Sequence, residues 1–162
     1  MNAELDVLLL HHDIDQLNTR YASALDERRF ADWPAFFLPD GRYTVRAREN
    51  HERGLPLALI DLESQAMMKD RVYGITQTIY HAPYYTRHVL SPAQVLGIDE
   101  DGAIRAQAHY AVFRTRPGDA SEVFNVGRYL DVLVRTQAGL RLRERLCVYD
   151  SEMVLNSLIY PV

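Results

Sequence analysis

The chain has 162 residues, of which 48% are hydrophobic and 25% charged, a composition typical of one soluble globular domain spanning residues 1–162. The net charge of −4 and the pI of about 5.8 argue against nucleic acid or a membrane surface as the main partner. The single cysteine, Cys147, excludes both a disulfide framework and a cysteine metal site, so we expect a reducing, cytoplasmic location.

Helical spacing of apolar residues dominates the first half of the chain. It predicts three helices: Ala3 to about Asp26, residues 31–37, and Pro56 to about Tyr73. Asp32 is the predicted cap of the second helix, and Pro34 lies in its first turn, where the missing N–H costs nothing. A strand over residues 42–46 and a polar loop over 47–54 separate the second helix from the third.

From Tyr84 onward, long strands are separated by turn signals at residues 99–102, 117–119 and 137–139. In the last strand two sets of side chains alternate: Leu140, Leu142, Leu146 and Val148 on one face, and Arg141, Arg143, Arg145 and Cys147 on the other. This alternation predicts a half-buried antiparallel strand whose leucine face packs inward. The fold class is therefore α+β, with helices packed on one face of a curved sheet.

The first helices and strand carry a set of aromatic and acidic residues that resembles the nuclear-transport-factor-2-like superfamily. The set is Tyr21-x4-Asp26, Trp33, Phe36-Phe37, Asp40-Gly41 and Tyr43. The resemblance implies a cone-shaped fold in which N-terminal helices pack on a strongly curved antiparallel sheet. That fold hosts isomerases, dehydratases and pure scaffolds, so it does not decide the activity.

The rest of the chain resembles the small (beta) subunits of bacterial Rieske-type aromatic-ring-hydroxylating dioxygenases, in particular the terephthalate, salicylate and anthranilate hydroxylase group. The matching residues are 48–56, Asp61, Ser64, Met67, Asp70-Arg71-Val72, Tyr80, Tyr84, Arg87-His88, Glu122-Val123-Phe124, Gly127, Tyr129, Asp131, Leu142 and Glu144-Arg145. The resemblance implies a homotrimer of this chain, stacked on three large (alpha) subunits in an α3β3 assembly.

The same resemblance assigns the chemistry to the large subunit, which would carry a Rieske [2Fe–2S] cluster and a mononuclear iron. Electrons would come from NADH through a reductase, sometimes through a ferredoxin. The chain itself would be non-catalytic and hold no cofactor. The ring would carry a carboxylate. The large subunit chiefly sets ring recognition in this family, so this chain does not identify the substrate or decide between dihydroxylation and monohydroxylation.

The residues themselves agree with a chain that ligates no iron. A Rieske centre needs two cysteines and two histidines, and only one cysteine is present. A mononuclear iron site needs two histidines and a carboxylate. His11 and His12 diverge on a helix, and His11 and Asp13, two residues apart, do not face each other.

The alternative function is a self-sufficient isomerase or dehydratase with a Tyr/Asp/His pocket inside the cone. Its candidate residues are Tyr21, Asp26, Tyr43, His88 and Glu144. Strand alternation places Glu144 on the apolar face, where a carboxylate needs a partner or acts as a general acid or base. Arg71 or Arg87 is the expected structural partner. A small-ligand-binding module without chemistry is a third possibility.

Two segments have the composition of subunit interfaces. Tyrosine and arginine, which dominate interface hot spots, are concentrated between residues 80 and 88: Tyr80, Tyr84, Tyr85, Arg87 and His88. The row Arg141, Arg143 and Arg145 would place three like charges on one strand face, relieved by acids of a neighbouring subunit or of the same chain. The apolar segment 156–162 is predicted to dock on its own sheet or on a neighbour.

Overall fold

The computed structural model describes residues 3–153 and 158–162. Its helices, in chain order, are α1 (Ala3–Asp26), a 3-10 helix (Phe30–Phe36), α2 (Arg48–Glu52), α3 (Gln65–Tyr73) and a π-helical turn (Gly74–Thr78). The first helix is confirmed over its predicted range. It forms because Ile14, Leu17, Tyr21 and Leu25 recur at helical spacing and are all buried against the sheet.

The second and third helices differ from the sequence prediction. The second is a 3-10 helix, and Asp32 lies in its first turn, where it accepts a hydrogen bond from Arg29 instead of capping the helix. The predicted start of the third helix at Pro56 was wrong. The helix begins at Gln65, because the Ser64 side chain accepts a hydrogen bond from the Met67 amide and caps it there. The preceding residues instead form a short strand.

Seven strands form one curved sheet: β1 (Phe37–Ala47), β2 (Ile60–Leu62), β3 (Tyr85–Leu90), β4 (Gln94–Ile98), β5 (Ile104–Thr115), β6 (Glu122–Thr136) and β7 (Gly139–Tyr149). Their order is β2-β1-β7-β6-β5-β3, and β4 also pairs with β5. All three predicted turns are confirmed. The first long strand, however, is divided into β3 and β4 at Ser91-Pro92, where proline cannot donate to the ladder.

The sheet is mixed rather than wholly antiparallel. β1 and β7 run parallel, with Tyr43 opposite Arg145 and Val45 opposite Cys147. Parallel strands require a long connection, and here almost the whole intervening chain supplies it. The tight meander from β5 to β7 is antiparallel, as predicted.

The first helix, the 3-10 helix and α3 pack against the sheet, and the hydrophobic core lies between them and its inner face. Under the 3-10 helix, Trp33, Phe37 and Tyr43 pack edge to face, with ring centroids 5.0–6.1 Å apart. Close approach at the sheet centre requires glycine at position 127, since a Cβ there would lie 2.1 Å from the Val148 carbonyl oxygen.

Candidate functional site

A β-bulge in β7 decides which side chains enter the cone. Leu133 pairs with Leu142 and Val132 pairs with Glu144, so Arg143 is an extra residue in β7. The bulge reverses the alternation beyond it. Arg145 therefore points inward and Glu144 does not, and the predicted inward face was wrong after Leu142.

Arg145 lies at the centre of the cone and is 0% exposed. Its Nε and Nη2 atoms donate to the two carboxylate oxygens of Asp131 at 2.9 and 2.7 Å, and Nη2 also donates to Asn18. The guanidinium lies between the rings of Tyr21 and Tyr129, 4.2 and 4.0 Å from their centroids. Burial alone would lower the pKa of Arg145, but Asp131 outweighs it and raises the pKa well above its ordinary value.

The expectation that Arg145 joins an exposed arginine row is thus corrected. Its charge is neutralised inside its own chain, because a buried guanidinium requires a buried counter-charge. Arg143 remains on the surface and pairs with Asp101 at 2.7 Å. Arg141 donates to the carbonyls of Ala138 and Leu140.

Residues 158–162 dock into the same interior. The Val162 carbonyl oxygen accepts hydrogen bonds from the hydroxyls of Tyr21 (2.9 Å) and Tyr43 (3.2 Å), and the Val162 amide donates to the Tyr43 hydroxyl at 2.9 Å. Burial raises the pKa of both tyrosines. The predicted docking is confirmed for these five residues, on their own chain. Asn156 and Ser157 lie outside the described residues.

Side chains around the docked segment anchor it further along. Arg71 donates from Nη2 to the carbonyls of Leu158 and Ile159, each at 2.9 Å. The Tyr160 ring packs between Phe30 and Tyr84, with centroid distances of 4.8 and 4.4 Å. The hydroxyls of Tyr21 and Tyr43 and the Nη2 atom of Arg71 are therefore engaged by the chain itself. The buried Tyr84 hydroxyl and Arg71 Nε have no hydrogen-bond partner among the described residues.

Asp26 and His88 form a second buried polar group, where α1 contacts β3. Asp26 accepts hydrogen bonds from His88 Nδ1 (2.6 Å), from the His88 amide (2.9 Å) and from the Thr86 hydroxyl (3.1 Å). Burial raises the pKa of this carboxyl, but the hydrogen bonds outweigh it and hold the pKa below its ordinary value. His88 Nε2 is buried and has no hydrogen-bond partner in the part of the chain that the structure describes.

The five pocket candidates consequently do not converge on one site. Tyr21 and Tyr43 share the Val162 oxygen, whereas Asp26 and His88 pair with each other. Glu144 is partly exposed and lies opposite Arg42 on β1. Neither expected partner of Glu144 pairs with it. Arg71 binds the docked segment, and Arg87 is exposed on β3.

The predicted interface segment is divided by strand alternation. Tyr80, Tyr85 and Arg87 are exposed, whereas Tyr84 and His88 are buried in their own chain. Tyr84 and His88 therefore cannot contact a partner directly and are removed from the interface candidates. Sequence reasoning missed a neighbouring feature, an exposed apolar patch on the outer sheet face.

Strand register defines this outer patch. Val89, Ala111 and Val126 lie side by side across β3, β5 and β6, and Arg87, Phe113 and Val123 form the next row. Val89 and Val123 are each more than half exposed. Apolar residues at alternate positions of three strands were the available signal, but each strand separately reads as an ordinary half-buried strand.

Two further classes of site are not found in residues 3–153 and 158–162. Within those ranges no three histidine, cysteine or carboxylate side chains are grouped as metal ligands would be. None of the helices described there is long and apolar enough to cross a membrane.

Comparison with known proteins places these features in a family. Residues 6–146 match the model of the SnoaL-like domain. The anthranilate 1,2-dioxygenase small subunit of Burkholderia cepacia is 32% identical over 93% of this chain and 92% of its own length. This chain belongs to the SnoaL-like family, and its relatives are small subunits of aromatic-ring dioxygenases. The resemblance drawn from the sequence is confirmed.

Two other small subunits extend the match. Subunit beta 2 of the terephthalate 1,2-dioxygenase terminal oxygenase component of Comamonas sp. is 30% identical over 92% of this chain and 96% of its own length. A solved structure from Novosphingobium aromaticivorans, assigned as the beta subunit of an aromatic-ring-hydroxylating dioxygenase, superposes with a TM-score of 0.86. It is 32% identical, and the match covers 95% of this chain and 97% of that one.

Proposed function

We propose that this chain is the non-catalytic small subunit of an aromatic-ring-hydroxylating dioxygenase, a single cytoplasmic domain that holds an iron-containing large subunit in its assembly. The large subunit would carry the Rieske [2Fe–2S] cluster and the mononuclear iron, and NADH would supply electrons for O₂-dependent hydroxylation of a carboxylated ring. Three copies of this chain would support three large subunits. The named relatives support the class of complex.

The observation that carries the proposal is the filled interior of the cone. A pocket enzyme on this fold needs free acid–base groups facing a ligand space. Here the hydroxyls of Tyr21 and Tyr43 bind Val162, and Arg145 is engaged by Asp131. These bonded groups thus stabilise the fold instead of addressing a substrate.

The outer surface supports a role in assembly. The outer patch exposes valines beside Arg87, and Tyr80 and Tyr85 project from the adjoining segment. Contiguous exposed apolar surface with arginine and tyrosine nearby is typical of protein interfaces. Arg141 and Arg143 remain candidates for rim contacts, where exposed charges affect the rate of association more than the affinity.

Affinity purification of the tagged chain from its host, grown on aromatic acids, tests the proposal. We expect a Rieske iron protein in equal amount. Val123→Asp, in the outer patch, should reduce its recovery, because a buried carboxylate in an apolar contact is costly. The control Leu57→Asp changes an exposed leucine outside that patch, and the Rieske iron protein should be recovered with it in full amount. Recovery of the wild-type chain alone would refute the scaffold role.

The second candidate, an isomerase or dehydratase, rests on the pair Asp26 and His88. A carboxylate that orients an imidazole and leaves Nε2 unbonded is the arrangement of a general base. Assay of the purified chain with hydroxy- and keto-substrates tests this function. Turnover that is lost in His88→Gln would favour the enzyme, whereas no turnover by the wild-type chain would reject it.

A further inference from the structure

A cleft of about 460 Å³ lies between α1, the 3-10 helix and the turn that joins β6 to β7. Its accessible apolar lining comes from Phe36 and three exposed alanines, Ala31, Ala35 and Ala138, above the buried side chains of Leu17 and Leu140. Leu17 and Leu140 are themselves core residues, so the floor of the cleft is a rigid part of the fold. A volume in the range of about 300–1,000 Å³ is typical of small-molecule sites.

Three guanidinium groups line the same cleft, and they are not equivalent. Arg29 is neutralised, since it pairs with Glu27 at 2.9 Å and with Asp32. Arg20, on α1, is exposed and has no ion-pair partner among residues 3–153 and 158–162. Arg141, across the cleft on β7, donates only to backbone carbonyls within those ranges. Arg20 and Arg141 therefore pair with no carboxylate of the described residues, while the Asp32 carboxylate in the lining pairs with Arg29.

The geometry points to a binding site for a small organic acid, with a carboxylate on an aromatic or aliphatic body. Guanidinium groups form charge-assisted hydrogen bonds with carboxylates, and the surface of Phe36 and the three alanines matches an apolar body. Neither feature alone selects this ligand. An inorganic anion leaves the apolar floor uncovered, and a neutral apolar molecule leaves the guanidinium groups unpaired.

This site is separate from the filled interior and does not depend on the proposed function. The Phe36 ring, which lines the cleft, also contacts the core, because it packs edge to face on Tyr21 at a centroid distance of 5.6 Å. Tyr21 in turn binds Val162.

Isothermal titration calorimetry of the full chain with benzoate tests the site, with benzamide as the neutral control of the same shape. We expect one benzoate per chain and at least about tenfold weaker binding of benzamide, which lacks the charge. Arg20→Gln and Arg141→Gln should each weaken benzoate binding about three- to tenfold. Arg53→Gln removes an exposed arginine that directly follows α2 and should leave the affinity unchanged.

Three results would overturn the inference. Equal binding of benzamide would show that the charge is not recognised, and unchanged affinity in both arginine variants would place the ligand elsewhere. Binding to the free chain that is lost in the purified assembly would assign the cleft to a partner's side chain. Unchanged circular dichroism and melting temperature of both arginine variants would exclude misfolding as the cause of any loss.

Discussion

Removal of one partner of the buried pair Arg145 and Asp131 should destabilise the chain severely. Asp131→Asn keeps the size of the side chain but leaves the 0%-exposed guanidinium without a counter-charge. Breaking such a pair costs about 3–5 kcal/mol. At roughly 2–4 °C per kcal/mol for a chain of this size, the melting temperature should fall by about 6–20 °C.

The complementary double variant separates the charge from the fold. Arg145→Met combined with Asp131→Leu replaces both ions with apolar side chains of similar size, so neither ion is left buried alone. Such replacements are often neutral or stabilising. The double variant should therefore be at least about 2 kcal/mol more stable than Asp131→Asn, because interaction energies between directly contacting residues reach about this size.

Urea unfolding followed by circular dichroism measures these free energies, and Arg143→Gln is the matched control. Arg143 is on the same strand and also forms a 2.7 Å pair, with Asp101, but this pair is exposed. Its loss should cost no more than about 1 kcal/mol. The reasoning would be refuted if Asp131→Asn lost no more stability than this control, or if the double variant were the least stable.

Three further predictions concern buried polar groups. The pKa of Asp26 is held below its ordinary 3.8, so its interaction with His88 stabilises the fold above pH 3.8 and is lost as the pH falls through the folded pKa. In Asp26→Asn the free energy of unfolding should therefore depend less on pH over this acidic range. An unchanged pH dependence would contradict the assignment. Burial raises the pKa of Cys147 to about 12, so iodoacetamide should label it only after unfolding, and rapid labelling of the native chain would disprove its burial. Tyr43→Phe leaves the Val162 amide without its hydrogen-bond acceptor and should lower the free energy of unfolding in urea by about 1–3 kcal/mol. The control Tyr80→Phe, at a fully exposed side chain, should change it by nothing measurable. Equal losses in the two variants would refute this account of the docked segment.

The sequence allowed prediction of features that depend on local pattern. α1 was predictable because its apolar residues repeat over 24 positions, and the turns were predictable because glycine marks them. The helix that begins at Gln65 was misplaced, since Pro56 is an equally good local start signal and only the pairing of β2 with β1 excludes it. Local pattern does not report such long-range competition.

The inward residues of β7 were predicted wrongly for a related reason. Strand parity is a strict period of two, so one extra residue at Arg143 exchanged Glu144 and Arg145 between the faces. The sequence carries no glycine or proline at this point to mark the bulge. The pairing of Asp26 with His88 was likewise beyond local reasoning, because 62 residues separate them, although both had been selected as chemically capable.

The parallel pairing of β1 with β7 also has a consequence for the kinetics of folding. Val162 binds Tyr21 and Tyr43 across separations of 141 and 119 residues, and β1 gains its parallel neighbour only when β7 is available. Contacts of such high sequence separation slow folding, because loop entropy is lost before the contacts form. During synthesis, the edge of β1 that later pairs with β7 would remain unpaired while the helices are already complete, and an exposed strand edge at this stage favours aggregation.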